Sequence, residues 1–156
     1  MDLSNQKILI TNDDGIHAEG IQLLERIVRQ HCDDVWVIAP DEERSGASHS
    51  VSMHTPVRVR KVDERQFALK GTPTDCAIMA INELMDDPPT LLLSGINRGA
   101  NLAEDLTYSG TAAAAMEGAL LGVPSIALSQ VFTPGEDVPW QTAERFLPQV
   151  IEGILA

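Results

Sequence analysis

Two neighbouring carboxylates, Asp13 and Asp14, follow the polar pair Thr11 and Asn12 and precede Gly15. Like charges side by side repel, so each acid is raised in pKa unless a cation or a shared proton offsets the repulsion. A divalent metal ion between them is the economical solution. The same Asn-Asp-Asp-Gly string is also good turn chemistry, because Asx side chains bond nearby backbone and glycine accepts positive φ. Two further segments are rich in oxygen and poor in bulk: Ser45-Gly46-Ala47 and the stretch from Ser94 to Asn101. Carboxylates, hydroxyls and amide carbonyls are hard ligands that suit Mg²⁺, Mn²⁺ or Ca²⁺, whereas zinc usually takes His or Cys. Tyr108-Ser109-Gly110-Thr111, followed by four alanines, reads as a small-residue loop feeding a helix. Free N–H groups and the helix dipole at such a start attract an anion such as phosphate. An ordinary Ser or Thr cap explains the same letters; an acidic metal loop nearby favours phosphate.

The elements that must position these residues are legible from periodicity. Ile8, Leu9 and Ile10 show no alternation, as in a strand buried on both faces of a parallel sheet, which puts Asp13 and Asp14 at its carboxyl end. In open α/β sheets ligands bind at that edge. Ile21, Leu24, Ile27 and Val28 predict an amphipathic helix over Gly20 to Gln30, and Val35 to Ala39 a second buried strand stopped by Pro40. Val57 to Val62 with Gln66 to Leu69 predicts a hairpin, placed either at the sheet edge or as an insertion. Thr72-Pro73-Thr74-Asp75 opens a helix striped by Ala77, Ala80, Ile81 and Leu84, ended by Asp86 to Pro89. Leu91 to Leu93 is the next strand and Ala112 to Leu121 the next helix. Ser125 to Leu128 is a further strand, and Trp140, Ala143, Leu147 and Ile151 lie in a final helix. The fold class is therefore α/β, a Rossmann-like doubly wound, mostly parallel sheet with helices on both faces and a small β-hairpin.

With 156 residues and 44% hydrophobic content, the chain suits one core. Eleven Lys and Arg against 23 Asp and Glu give a formal charge of −12, which disfavours nucleic acid and anionic membrane as partners. Cys32 and Cys76 form no CxxC and read as free buried thiols. The start MDLSNQK has no apolar signal region and no run reaches the ~20 residues of a membrane span, so a cytoplasmic protein is expected. His17 reads as a surface or capping histidine more readily than as a general acid, and His49 and His54 offer less. Arg44 and Arg98 flank the ligand loops as solvated arginines. Trp36 belongs to the core, and Tyr108 either stacks on a base or packs beside its helix.

Five blocks in order resemble the SurE family of metal-dependent nucleoside monophosphate phosphatases, the stationary-phase survival proteins. They are Thr11-Asn12-Asp13-Asp14-Gly15-Ile16-His17-Ala18, Pro40-Asp41 with Arg44-Ser45-Gly46-Ala47-Ser48, Gly71-Thr72-Pro73-Thr74-Asp75-Cys76, Ser94-Gly95-Ile96-Asn97 with Gly99 and Asn101, and Tyr108 to Thr111 with Ala113 to Gly118. The resemblance implies one divalent ion (Mg²⁺, Mn²⁺ or Ca²⁺) held by the positions of Asp13, Asp14, Ser45 and Asn97. It implies hydrolysis of nucleoside 5′- and 3′-monophosphates, with some action on polyphosphate, and a homodimer or homotetramer. Family members continue past the position of Ala156, so residues 1–156 are expected to be one SurE-like α/β nucleotidase domain without the usual C-terminal part.

The mechanism expected on this reading has the ion polarise a phosphate oxygen and acidify water. Asp13 or Asp14 assists deprotonation, and Asn101 with Ser109, Gly110 and Thr111 holds the phosphate. Two alternatives stay open: a noncatalytic metal or nucleotide sensor, and a haloacid-dehalogenase-like phosphatase working through an aspartyl phosphate. Against the latter, the first strand is followed by no DxD and the Ser125 to Leu128 strand by no clear lysine. GxGxxG and GxxxxGK[ST] are both missing, which discards dinucleotide-binding and P-loop readings.

Overall fold

The unbroken apolar run at the start of the chain becomes the middle of a sheet. In the computed structural model, which describes residues 2–156, Ile8, Leu9 and Ile10 of β1 (Ile8–Thr11) are fully buried. β1 pairs in parallel with β2 (Val35–Pro40) on one side and β5 (Leu91–Arg98) on the other. β4 (Gln66–Lys70) lies parallel outside β2, and β6 (Ser125–Gln130) parallel outside β5. β3 (Arg58–Asp63) closes the order β3-β4-β2-β1-β5-β6 as an antiparallel edge. Of the two places left open for the hairpin, the observed one is the edge: β4 buries Ala68 and Leu69 within the sheet while β3 is exposed along its length.

Alternate side chains of each strand point to opposite faces, and each face has its own apolar layer. Ile8, Ile10, Val35 and Leu93 meet α1 (Glu19–Val28) and α4 (Trp140–Leu155) through Ile21, Leu24, Leu147 and Ile151. Leu9, Trp36, Ile38 and Leu92 form the other layer with Cys76, Ala77, Ala80 and Val123. A side chain such as Leu9 or Leu92, taken fully out of water, contributes about 1.5–3 kcal/mol. α2 (Pro73–Met79) begins as the sequence expects, with Pro73 in its first turn and a reciprocal capping box between Thr72 and Asp75, and continues as a π turn over Ala80–Leu84. α3 (Gly110–Leu120) starts two residues earlier than its alanine run suggests, because Ser109 caps it by accepting from the Ala112 N–H.

β5 also exceeds its expected length. Ser94 to Asn97 reads as loop, yet the strand runs to Arg98 after a register shift against β6 between Ser94 and Asn97. Gly95 makes this possible: its φ is +140°, and a Cβ there would stand 2.4 Å from the Leu128 carbonyl oxygen. The bulge carries Asn97 to the carboxyl rim on a paired strand, opposite Ser129. Cys32 and Cys76 are free and buried. Among the described residues no helix is long and apolar enough to cross a membrane.

Candidate functional site

The chain leaves β1 into the acidic pair, and the two acids meet different surroundings. Asp13 is 4% exposed, and Thr111, itself fully buried, donates its hydroxyl to Asp13 Oδ1. The backbone N–H groups of Gly110 and Thr111 also favour its charged form. Burial is the stronger influence and raises the Asp13 pKa above the ordinary carboxylate value. Asp14 is only partly buried, and the Arg98 N–H donates to its Oδ2 at 3.1 Å. Its pKa is also raised, first by desolvation and then, more weakly, by the charges of Asp13 and Glu43. The repulsion read from the sequence is real but secondary to burial.

Gly110 explains how α3 comes this close. A Cβ there would lie 2.8 Å from Asp13 Cβ and 2.9 Å from Pro73 Cγ, so only glycine lets the helix start abut the acid. Ser45 arrives on the loop after β2, which is tied to the acid loop by the Arg44 N–H donating to the Asp13 carbonyl at 2.7 Å. Ser45 Oγ donates to Glu43 Oε1 at 2.7 Å, which leaves its lone pairs as acceptors. Asn97 donates its amide N–H to the Gly99 carbonyl at 3.0 Å, so its carbonyl oxygen is the end left for a cation. Asn101 donates to Ser129 Oγ at 2.8 Å.

Asp13, Asp14, Ser45 and Asn97 line one cleft of about 860 Å³, together with Asn101 and Ser109. Gly110 and Thr111 do not line it; they stand behind Asp13. The donor set of two carboxylates, a hydroxyl and an amide oxygen fits a hard divalent cation. No group of three or more His, Cys, Asp or Glu side chains able to hold a metal occurs among the described residues, so Ser45 and Asn97 would have to complete any coordination. Five acidic or aromatic residues of the cleft went unremarked as site residues in the sequence: Glu19, Glu43, Asp105, Asp137 and Trp140. Only their positions after strands or beside Gly and Pro hinted at it. Trp140 begins α4, and its ring lies against the Gly20 end of α1. Arg98, set aside from the sequence as a solvated arginine, holds Asp14 through its backbone and stacks its guanidinium over Phe132 at 5.1 Å.

This geometry can be set beside known proteins. Residues 8–156 match the family described as Survival protein SurE. The chain belongs to the SurE family. The 5′-nucleotidase SurE of Brucella anthropi is 55% identical over 152 residues, which cover 96% of this chain and 59% of that protein. The 5′-nucleotidase SurE of Chelativorans is 55% identical over 152 residues, covering 96% and 60%. Among solved structures, the SurE protein from Aquifex aeolicus superposes with a TM-score of 0.86 at 37% identity, over 95% of this chain and 59% of that one. The α/β fold is thus the SurE fold, and the chain spans about three fifths of the length of these relatives.

Proposed function

We propose that this SurE chain is a metal-dependent phosphomonoesterase for nucleoside 5′-monophosphates, extending to 3′-monophosphates, with one divalent ion held by Asp13, Asp14, Ser45 and Asn97. The observation that carries the reading is the meeting of these four oxygen donors in one cleft of a chain more than half identical to proteins named 5′-nucleotidase. Mg²⁺, Mn²⁺ or Ca²⁺ suits the donors; bound there, it supplies Lewis acidity to the phosphate and acidifies the attacking water. The two acids divide the remaining work. Asp13 is fixed from behind by Thr111 and by the first N–H groups of α3, so it is a holder. Asp14 is less buried and lines the cleft, which places it to take the water's proton. Ser109 and Asn101, which line the same cleft, orient phosphate oxygens. Gly110 and Thr111 act on phosphate through Asp13. The product is a nucleoside and inorganic phosphate.

The family resemblance further supports a homodimer or homotetramer, and the free thiols Cys32 and Cys76 support a reducing, cytoplasmic location. Asp13→Asn tests the core of the reading. Mn²⁺ affinity is expected to fall by more than roughly 100-fold, since even outer partners of ligands cost 10–100-fold. Phosphate release from nucleoside monophosphates should fall with it, while far-ultraviolet dichroism stays unchanged. Near wild-type release from Asp13→Asn in ample Mn²⁺ rejects the assignment, and Mn²⁺ binding by the unaltered chain without phosphate release would favour a sensor.

A further inference from the structure

Ser45 is the one proposed ligand that is exposed and sits on a loop without a strand or helix of its own. Next to it, Gly46 has a φ of +74°, and a Cβ there would meet nothing within 4 Å. Packing at the tip therefore does not hold Ser45 in place. The loop is held at its two ends. On one side the Arg44 N–H donates to the Asp13 carbonyl. On the other, three hydrogen bonds join residues 48–49 to the segment that ends in α3. The Ser48 N–H donates to the Tyr108 carbonyl at 3.1 Å, Ser48 Oγ donates to the Thr107 carbonyl at 2.7 Å, and His49 Nε2 lies 2.7 Å from Glu117 Oε2.

The His49–Glu117 contact differs from a surface pair. Glu117 is 14% exposed and His49 30%, so the bond is shielded from solvent, whereas fully exposed pairs contribute little. It spans 68 residues of sequence and reaches α3 two turns beyond Ser109 and Thr111. The helix that supports Asp13 through Thr111 therefore also supports the Ser45 loop through Glu117. A short turn, with the Ala47 N–H donating to the Arg44 carbonyl at 3.1 Å, makes Arg44 to Ala47 a stiff link between the anchors.

We propose that His49 and Glu117 form a latch that positions Ser45 against Asp13, Asp14 and Asn97, so that α3 sets both sides of the cation site. Neither residue lines the cleft; both are positioning residues. The inference rests on the assignment of Ser45 as a ligand in the proposed function.

The test uses the 156-residue chain with His49→Ala, Glu117→Gln, the two combined, His49→Gln and Asp13→Asn. In metal-free protein, amide exchange at Ser48 is expected to speed up about tenfold in His49→Ala, because the bond from Ser48 to Tyr108 opens when the latch is lost. Mn²⁺ affinity, measured calorimetrically, is expected to drop about tenfold in His49→Ala, the scale set by residues that orient ligands. The combined variant should be no weaker than His49→Ala, since partners in one contact are not additive. His49→Gln should recover most of the affinity, because its amide N–H can reach the same carboxylate. A merely stabilising pair would lower the melting temperature without moving Mn²⁺ affinity. Wild-type exchange and affinity in His49→Ala, with affinity lost in Asp13→Asn, overturns the latch and leaves the site standing. Retained affinity in Asp13→Asn overturns the site and the latch together.

Discussion

Thr111→Val isolates the support of a buried acid. Valine has nearly the shape of threonine, and residue 111 is fully buried, so the change removes one hydroxyl from Asp13 Oδ1 with little change in volume. A hydrogen bond to a charged group contributes about 1.5–3 kcal/mol when its loss leaves the partner unsatisfied. For a chain of this size that corresponds to a melting temperature lower by about 3–12 °C. The loss should depend on pH. Burial holds the Asp13 pKa above its ordinary value, so the native state keeps this proton at pH values where the unfolded chain has released it. The stabilisation due to the neutral form is complete below the unfolded pKa and disappears as pH rises through the native one. Removing the Thr111 hydroxyl, which favours the charged form, raises the native pKa further and extends that decline to higher pH. Urea titration of metal-free protein from about pH 4 to about pH 8 follows both effects. Thr111→Val should show its full penalty at the upper end and a smaller one at the lower end, with Thr111→Ser close to wild type in slope. A penalty of equal size at every pH, or none, refutes the reasoning that Thr111 serves the ionised Asp13.

Asp75, 3% exposed, accepts from the Ser52 N–H, Ser52 Oγ and the Thr72 N–H at 2.7–2.9 Å, so Asp75→Ala strands three donors and should cost roughly 3 kcal/mol in urea denaturation. Gly110→Ala forces a methyl toward Asp13 and Pro73 and should destabilise by roughly 1–3 kcal/mol while weakening Mn²⁺ binding in calorimetry.

The strands were legible because residues 8–10, 35–39 and 91–93 are buried from both sides, which removes polar alternation and leaves a plain apolar run. The helices were legible where one face alone is buried, as in α1. Two things escaped local reading. The extension of β5 through Asn97 depends on pairing with Ser129 and Gln130, partners that no window around Gly95 contains. The role of Thr111 escaped for a similar reason: a threonine after Ser-Gly advertises a helix start, but its partner is 98 residues earlier in the chain. The acids were found because two together are costly without a counter-charge. Glu19, Asp105 and Asp137 come from three separate stretches of the chain, and their presence in the cleft follows from how α1, the loop after β5 and the approach to α4 converge.

The two rims of the sheet are unequal. β3 presents Arg58, Arg60 and Lys61 along its open side, so a strand laid beside it must bring its backbone among three cations. Between Ser125 and Gln130 the opposite rim carries no charge at all. Pairing of a further strand is thus discouraged by charge along β3 and is not discouraged in that way along β6.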